Sequence, residues 1–251
     1  MALKWGIVTA GNISNDFVLA LTTYYDKEIN VEHEIVCVAA NKLKAAAKFA
    51  KLHAIPVFYE GYENVATDLN VQIAFVGGSH SKHYEIVKLM LEHGKHVVCE
   101  KPLTFSEKES KQLIELAKKL NLFLMESIPS RFYPTYEYLR SEIEKDTLGD
   151  IFEVNVGFGL HINPRNEHKD FGGAALLDQG IYAIQLAQWI FRQPPAIITA
   201  NGRLNEKLVD VEMNVTLEYA IEGTVNISAN STEDKENIAV INGTKGTITV
   251  N

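Results

Sequence analysis

The first half of the chain alternates short apolar runs with amphipathic segments, and this pattern restricts the fold more than any other feature of the sequence. Runs that are apolar at nearly every position indicate strands buried on both faces, as in parallel sheets connected by helices. With right-handed crossovers, they predict an α/β domain, a doubly wound parallel sheet, over residues 1–128. The predicted strands lie at 3–9, 34–40, 71–77, 96–100 and 122–127, and the predicted helices at 13–21, 42–53, 83–93 and 106–120. Ser106 and Glu109 form a capping-box pattern at the start of the last of these helices.

The pattern changes after about residue 150, where strand follows strand. Segment 151–160 alternates apolar residues with small or polar ones, as a half-exposed strand does. Segment 173–191 is apolar around most of its circumference and predicts a well-buried helix. Residues 129–251 are therefore expected to form an α+β domain, a mostly antiparallel sheet with a helix on one face. Its further strands are predicted at 196–203, 211–219, 223–231, 237–242 and 246–250.

Charge and composition narrow the classes of partner. The formal net charge of -8 at pH 7 and the sequence pI near 5.5 argue against nucleic acid or an anionic membrane as the main partner. No apolar run approaches the roughly 20 residues of a membrane helix, and Met1–Trp5 leads into the first strand without a secretory leader pattern. Cys37 and Cys99 lie in predicted buried strands and are expected to be packed thiols. We expect a cytoplasmic protein with a small-molecule substrate and no metal site.

The turn after the first strand is the natural place for a dinucleotide in a doubly wound sheet of the Rossmann type, because the pyrophosphate binds over a helix N-terminus there. The glycine fingerprint G-x-G-x-x-G is degraded: Thr9 and Ser14 stand at its first and last positions, and only the middle Gly11 remains. A plain turn without a ligand is the alternative. Because the turn heads the whole alternation, a cofactor site is the favoured interpretation. Its predicted contacts are Thr9, Gly11, Asn12 and Ile13.

The residues after the second strand bear on the choice between NAD and NADP. An acidic side chain there holds the ribose 2′-hydroxyl of NAD, whereas a basic one accommodates the 2′-phosphate of NADP. Asn41, Lys42 and Lys44 follow the strand, and residues 40–45 include no acid. The pattern favours NADP, with NAD as the alternative if the two lysines are only solvated charges on a helix face.

Two charged residues, Glu100 and Lys101, stand before Pro102 at the end of an otherwise apolar strand. Open α/β sheets bind ligands at the carboxyl ends of their strands. Charges at such a position cost free energy unless they are paired or used. A Glu–Lys pair that only caps the strand is the alternative, and a functional role is the favoured interpretation.

A second cluster lies near the start of the helix predicted at 173–191, in a run that extends from Gly172 to Tyr182. Asp178 and Tyr182 are four residues apart, so on an α-helix they share a face. A carboxylate and a phenol within an apolar helix need partners. The alternatives are a functional pair, or a hydrogen-bonded core tyrosine next to a helix-start aspartate.

Together these motifs resemble the Gfo/Idh/MocA oxidoreductase family, and the likeness runs through the whole chain. It is carried by Glu100-Lys101-Pro102, by the run from Gly172 to Tyr182 and by Gly243-Thr-Lys-Gly246. Within the family the chain is most similar to a dimeric branch that oxidises aromatic trans-dihydrodiols with NADP. Segment 122–126 and Arg131-Phe132 carry that closer likeness.

The resemblance implies a role for each candidate residue. Lys101 and Tyr182 would be the catalytic pair, with Asp178 orienting the pair or the substrate hydroxyl. Glu100 and Lys101 would also contact the cofactor. The two histidines after strand 71–77 would line the nicotinamide pocket, or else are polar residues at a helix start. They are His80 and His83. The second domain would bind substrate and pair two subunits through its sheet.

The sequence departs from the branch at three places. The branch carries arginines for the 2′-phosphate at the positions of Asn41 and Ala45, so the nearby lysines would have to replace them. An active-site tryptophan of the branch falls at Pro129, which alters the aromatic wall of the substrate site. The sequence stops at Asn251, soon after Gly246, whereas full family members continue through further strands and a helical segment. We therefore expect an exposed sheet edge, lowered stability and weakened activity.

The resulting hypothesis is the reversible oxidation of a diol or a sugar alcohol. Hydride passes from the carbinol carbon to NADP+ while Tyr182 takes the hydroxyl proton, and a nearby lysine ammonium favours the phenolate by Coulomb attraction. Two alternatives stay open. One is a nucleotide-binding regulator or inactive truncated relative, and the other is an NAD(P)-dependent sugar dehydrogenase.

Overall fold

The computed structural model describes residues 2–23, 31–161 and 175–251. The chain divides into two compact units, Met1–Ser127 and Ile128–Asn251, and each has a six-stranded sheet of its own. Within the described residues, no helix is long and apolar enough to cross a membrane.

The sheet of the first unit consists of β1 Leu3–Val8, β2 His33–Ala40, β3 Val57–Glu60, β4 Ile73–Val76, β5 His96–Glu100 and β6 Leu124–Ser127. Every pairing is parallel, in the order β3-β2-β1-β4-β5-β6. The predicted doubly wound α/β fold is therefore confirmed. The direction of strand addition reverses between β1 and β4, and ligands bind at such a switch point, outside the carboxyl ends of the strands.

The α-helices of this unit are α1 Asn12–Thr23, α2 Leu43–His53, α3 Glu63–Thr67, α4 His83–Glu92 and α5 Glu107–Leu120. Helix α5 begins as its capping-box pattern predicts, because the Ser106 hydroxyl accepts the Glu109 N–H at 3.3 Å. The sequence did not predict β3 or α3. They have four and five residues, which is too short for a hydrophobic period to show.

The core of the first unit lies on both faces of its central strands. Ile7 and Val8 of β1 are completely buried, and on α1 the ring of Phe17 stacks on Phe75 of β4 with centroids 3.8 Å apart. Both cysteines are buried and free, as predicted. Burial raises the pKa of the Cys37 thiol to about 12, so this residue is a packing group and not a nucleophile at neutral pH.

The sheet of the second unit consists of β7 Ile151–Gly159, β8 Ile197–Leu204, β9 Asp210–Glu218, β10 Thr224–Asn230, β11 Ile238–Gly243 and β12 Thr247–Val250. Its order is β12-β11-β7-β10-β9-β8. All neighbours are antiparallel except β7 and β10, which run parallel. The mostly antiparallel sheet is as predicted.

The described helices of this unit are a 3-10 helix at Pro129–Phe132, α6 Pro134–Glu144 and α7 Ile181–Phe191, and a π-helix at Ala175–Gly180 leads directly into α7. Helix α6 was not predicted, although Pro134 at its first position followed by Tyr136, Leu139 and Ile143 has helical spacing.

Helix α7 covers one face of the sheet and is less buried than predicted. Leu186, Ala187 and Ile190 pack into a cluster that includes Val154 and Ile227 from the sheet. On the other side of the helix, Ile184 is 39% exposed and Gln188 is exposed. The helix is therefore well buried on one side only, because only that side packs on the sheet. The first two residues of the predicted helix, 173 and 174, lie outside the described residues.

Candidate cofactor site and catalytic residues

The turn after β1 has the backbone conformation that the glycine fingerprint normally allows. Thr9 adopts a φ of 91°, a conformation that favours glycine and is rare for a β-branched residue. Its N–H donates to the carbonyl oxygen of Ala39 on β2 at 3.0 Å. Its hydroxyl lies 3.2 Å from the hydroxyl of Ser14, which is completely buried on α1. The two residues that replace fingerprint glycines therefore contact each other.

A groove of about 450 Å³ opens beside this turn, at the carboxyl ends of β1, β2 and β4. It is lined by Thr9, Ala10, Gly11, Ala40, Asn41, Lys42, Ala45, Tyr62, Gly77, Gly78, Ser79, Lys82 and Ile86. Four of the predicted cofactor residues are among them: Thr9, Gly11, Asn41 and Lys42. The other predicted cofactor residues are not: Asn12, Ile13, Lys44, His80, His83, Glu100 and Lys101.

The groove fits a ligand that approaches the backbone closely. At Gly11, which lines the groove, an added Cβ would meet the Gly77 carbonyl oxygen at 3.9 Å and no closer atom of the described residues, so the backbone there is open. The sequence analysis did not single out the second glycine turn, Gly77-Gly78. A Gly-Gly pair directly after an apolar strand is a signal that could have indicated it.

Among the described residues that line the groove, the charged side chains are two exposed lysines, and none is acidic. Lys42 directly precedes α2, with extended backbone. Lys82, which sequence reasoning missed, directly precedes α4, and its ammonium lies 3.3 Å from the Glu85 carboxylate. The positive charge of the two lysines favours an anionic ligand, although Lys82 shares its charge with Glu85.

His83 ties two turns together at the edge of the sheet. It is completely buried, with Nδ1 2.9 Å from the carbonyl oxygen of Pro102 and Nε2 3.0 Å from that of Gly78. Burial lowers the pKa of the His83 imidazole, which favours the neutral ring, and a neutral ring can donate to only one of these carbonyls at a time. His80 is buried as well, with its ring edge-on to Phe105 at 4.9 Å.

Two carboxylates surround the turn that carries Lys101. Glu100 is 9% exposed, and its carboxylate accepts hydrogen bonds from the Ser127 hydroxyl and the Lys101 N–H. Glu126, on the neighbouring strand β6, accepts the Leu103 N–H at 2.8 Å. Burial raises the pKa of both carboxyl groups, and the positive charge of Lys101 opposes that shift in each. The lysine turn is thus fixed from two strands, and the sequence analysis had not assigned Glu126 to the site.

Asp178 and Tyr182 lie on one continuous helical segment, half-buried, with Asp178 in the π-helical part. A π-helix closes its hydrogen bonds over five residues instead of four, so the α-helical spacing behind the shared-face prediction holds only from Ile181 onward. The Tyr182 ring stacks on Phe158 of β7, with centroids 5.9 Å apart. Gly172 and Gly173 of the motif lie outside the described residues.

The π-helix is held by neighbouring polar groups. The Asp210 carboxylate accepts the Leu176 N–H at 2.8 Å, and the Gln179 amide donates to the carbonyl oxygen of Leu160 at 2.7 Å. At Gly180 an added Cβ would lie 2.5 Å from the Met213 sulfur, so a larger residue there would force the Met213 side chain on β9 to shift. Short π-helical segments occur often at functional sites. Among the residues that the structure describes, no group of three His, Cys, Asp or Glu side chains could hold a metal.

Two family models match the chain, one in each unit. Residues 3–127 match the model of an oxidoreductase family with an NAD-binding Rossmann fold, and residues 136–249 match the GFO/IDH/MocA C-terminal domain. The trans-1,2-dihydrobenzene-1,2-diol dehydrogenase of Xenopus tropicalis is 40% identical over 253 residues, which span 100% of this chain and 76% of that protein.

Solved structures share the architecture at lower identity. Levoglucosan dehydrogenase, in complex with NADH and levoglucosan, has a TM-score of 0.92 at 20% identity, covering 100% of this chain and 73% of that one. KijD10, a 3-ketoreductase from Actinomadura kijaniata in complex with NADP and TDP-benzene, has a TM-score of 0.87 at 23% identity, covering 98% and 75%. These likenesses show the fold.

The model matched by the first unit describes an oxidoreductase with an NAD-binding Rossmann fold, and the doubly wound sheet with a groove over its first turn agrees with that class. Both family models match, and a relative is 40% identical along the whole length of this chain, so the chain belongs to the GFO/IDH/MocA oxidoreductase family.

Proposed function

We propose that this protein is an NADP-dependent dehydrogenase that oxidises a CH–OH group of a trans-dihydrodiol or a related cyclic alcohol. The observation that carries the proposal is the groove beside the first turn, with open backbone at Gly11, two lysines and no carboxylate among its lining residues. The 40% identical Xenopus tropicalis relative, named as a dihydrodiol dehydrogenase, supports the choice of substrate class.

The preference for NADP rests on the end of β2. A carboxylate that holds the 2′-hydroxyl of NAD is expected at this position, and here Asn41 and Lys42 line the groove instead. Lys42 offers its charge to a 2′-phosphate. Lys44 lies on α2, outside the lining residues, so it contributes less than its sequence position suggests.

The catalytic roles follow from the chemistry of the residues and from the family resemblance. The bound nicotinamide supplies hydride exchange with the carbon that carries the substrate hydroxyl. Tyr182 takes the hydroxyl proton, Lys101 contributes the positive charge that a developing oxygen anion requires, and Asp178 orients the reacting groups. Glu100 and Glu126 keep Lys101 in place through the hydrogen bonds of its turn.

A substrate and cofactor panel tests the proposal directly. The purified chain is titrated with NADPH and NADH by fluorescence, and turnover is followed with trans-dihydrodiols, cyclic sugars and acyclic polyols. We expect tighter binding of NADPH and the highest kcat/KM with a trans-dihydrodiol. Turnover of sugars alone would make the protein a sugar dehydrogenase, and cofactor binding with no turnover of any alcohol would make it a nucleotide-binding regulator.

We also propose that two copies pair through the sheet of the second unit. Strand β8 is at an edge of that sheet, exposed along its whole length, and includes Ile197 at 53% and Ile198 at 64% exposure. An exposed apolar edge strand is a template for pairing with another chain. Light scattering should give the mass of a dimer, and the double variant Ile197→Lys, Ile198→Lys should give that of a monomer.

A further inference from the structure

Two of the three fingerprint glycines are replaced in the first turn, at Thr9 and Ser14, yet the turn keeps its shape. Thr9 adopts the positive φ of 91° that a glycine would adopt without strain. A β-branched side chain holds such a conformation only when its surroundings enforce it. Contacts with neighbouring residues must therefore stabilise this backbone conformation in place of the missing glycines.

The hydroxyl contact between Thr9 and Ser14 is one of these stabilising contacts. The two oxygens lie 3.2 Å apart, and Ser14 is completely buried. A buried hydroxyl that loses its partner carries a free-energy cost, so each residue stabilises the conformation of the other.

The second glycine turn, Gly77-Gly78, provides the space that the side chains of this pair need. A Cβ at Gly78 would lie 2.9 Å from Cγ2 of Thr9, and a Cβ at Gly77 would lie 2.6 Å from the hydroxyl oxygen of Ser14. Both contacts are shorter than real Cβ atoms show. The space that the fingerprint normally gains from its own glycines is here provided by glycines on the neighbouring strand connection.

We propose that Thr9 and Ser14 are a coupled positioning pair that sets the phosphate-facing backbone of the first turn, with Gly77-Gly78 accommodating their side chains. This inference rests on the proposed function, because it takes the groove to bind a dinucleotide. Its consequence is specific: the Ser14 hydroxyl matters for cofactor affinity only while residue 9 has a side chain that must be held at positive φ.

A double-mutant cycle on the full chain tests the coupling. NADPH affinity is measured for the unmodified protein, Ser14→Ala, Thr9→Gly and the double variant, with Thr9→Val as an isosteric control that removes only the hydroxyl. We expect Ser14→Ala and Thr9→Val each to weaken NADPH binding by about tenfold. In the Thr9→Gly background, Ser14→Ala should change affinity by less than about twofold, because glycine holds the turn unaided.

A second ligand separates positioning from a general loss of structure. Adenosine 2′-monophosphate lacks the pyrophosphate, so Ser14→Ala should leave its affinity within about twofold if the pair acts through the phosphate-facing backbone. Equal weakening of both ligands, or an equal effect of Ser14→Ala in both backgrounds, overturns the inference. If the unmodified protein binds neither NADPH nor NADH, the proposed function fails and the inference fails with it. If it binds NADPH and the variant effects are additive, only the inference fails.

Discussion

The first turn, after β1, and the lysine turn, which carries Lys101 after β5, lie on the same edge of one sheet, but they differ in the polar and charged groups that form them. The turn after β1 uses backbone, small side chains and a neutral hydroxyl pair, and its groove has charge only in exposed lysines. The turn after β5 combines a lysine with the carboxylates of Glu100 and Glu126, whose pKa values burial raises.

This difference predicts in which of the two turns a charge substitution should have the larger effect. Exposed charges are screened by water and contribute little individually, whereas charges removed from water interact strongly and are costly to leave unpaired. We therefore expect substitutions in the lysine turn to change kcat by about tenfold or more. Charge substitutions in the groove should change cofactor affinity only by small factors.

The largest effect is expected at Lys101. Lys101→Met removes the charge but keeps the unbranched carbon chain, and it should lower kcat by about 10³-fold or more. NADPH affinity should stay within about tenfold, because Lys101 is outside the groove lining. Single-turnover hydride transfer is the measurement, and an undiminished rate would remove Lys101 from the mechanism.

A loss of about 10²–10⁴-fold in kcat is expected for Tyr182→Phe, the usual range for removing a general acid or base. The substitution deletes only the hydroxyl and keeps the ring that stacks on Phe158. Phe158→Leu is the matched control, since it removes the stacking partner and leaves the hydroxyl. A larger kcat loss for the control than for Tyr182→Phe would contradict the role of the hydroxyl.

Glu126→Gln should lower kcat by about tenfold, since the amide oxygen can still accept the Leu103 N–H but the charge near Lys101 is lost. The same substitution should raise the free energy of unfolding at neutral pH, although it lowers kcat. Burial raises the pKa of the Glu126 carboxyl from its ordinary 4.5, so the folded state disfavours the carboxylate. That cost is absent below the unfolded-state pKa and grows as pH rises through the folded-state pKa.

Glutamine has no such cost, so the Tm of Glu126→Gln relative to the unmodified protein should rise as the pH is raised from below the ordinary carboxyl pKa of 4.5. Glu115→Gln, on the exposed side of α5, is the control and should show no such trend. A Tm difference that is flat with pH, or that falls, would mean that the Glu126 carboxylate is not disfavoured in the folded protein.

Sequence reasoning succeeded in the first unit where the signal is periodic. Strands such as β2 and β5 read as continuous apolar runs, because burial on both faces leaves no polar alternation. The four residues of β3 were missed because no period fits in so short a segment. Within the site, the groove residues Thr9, Gly11, Asn41 and Lys42 follow strand ends, which a pattern can locate.

Other features depend on neighbours that the sequence does not place side by side. The importance of Glu126 appears only once β6 lies next to β5, and that of Gly77 only once it contacts Ser14. The π-helix is hidden for another reason. Its residues have the same apolar spacing that an α-helix would have, and only the hydrogen-bond register distinguishes the two.

In the groove, Lys42→Ala should weaken NADPH binding by about fivefold and leave NADH binding nearly unchanged, the order expected for one exposed charge facing one phosphate. Lys44→Ala is the matched control, because Lys44 follows two residues later but lies outside the lining residues. Its effect should stay below about twofold. Equal effects of the two substitutions would indicate a general field of positive charge instead of a contact at the end of β2.

The smallest effect concerns Lys82, whose charge is already shared with Glu85. Their ammonium and carboxylate lie 3.3 Å apart, with side chains 64% and 71% exposed, so the pair is weak but reduces the field that Lys82 projects into the groove. Glu85→Gln should release that field and tighten NADPH binding by about twofold, whereas Lys82→Ala should weaken it by at most about threefold. Both changes should fade as salt is raised, since the charges are exposed. A change in NADPH affinity from Glu85→Gln that persists in high salt would show that these groove charges are not screened by solvent, and the contrast between the two turns would then be wrong.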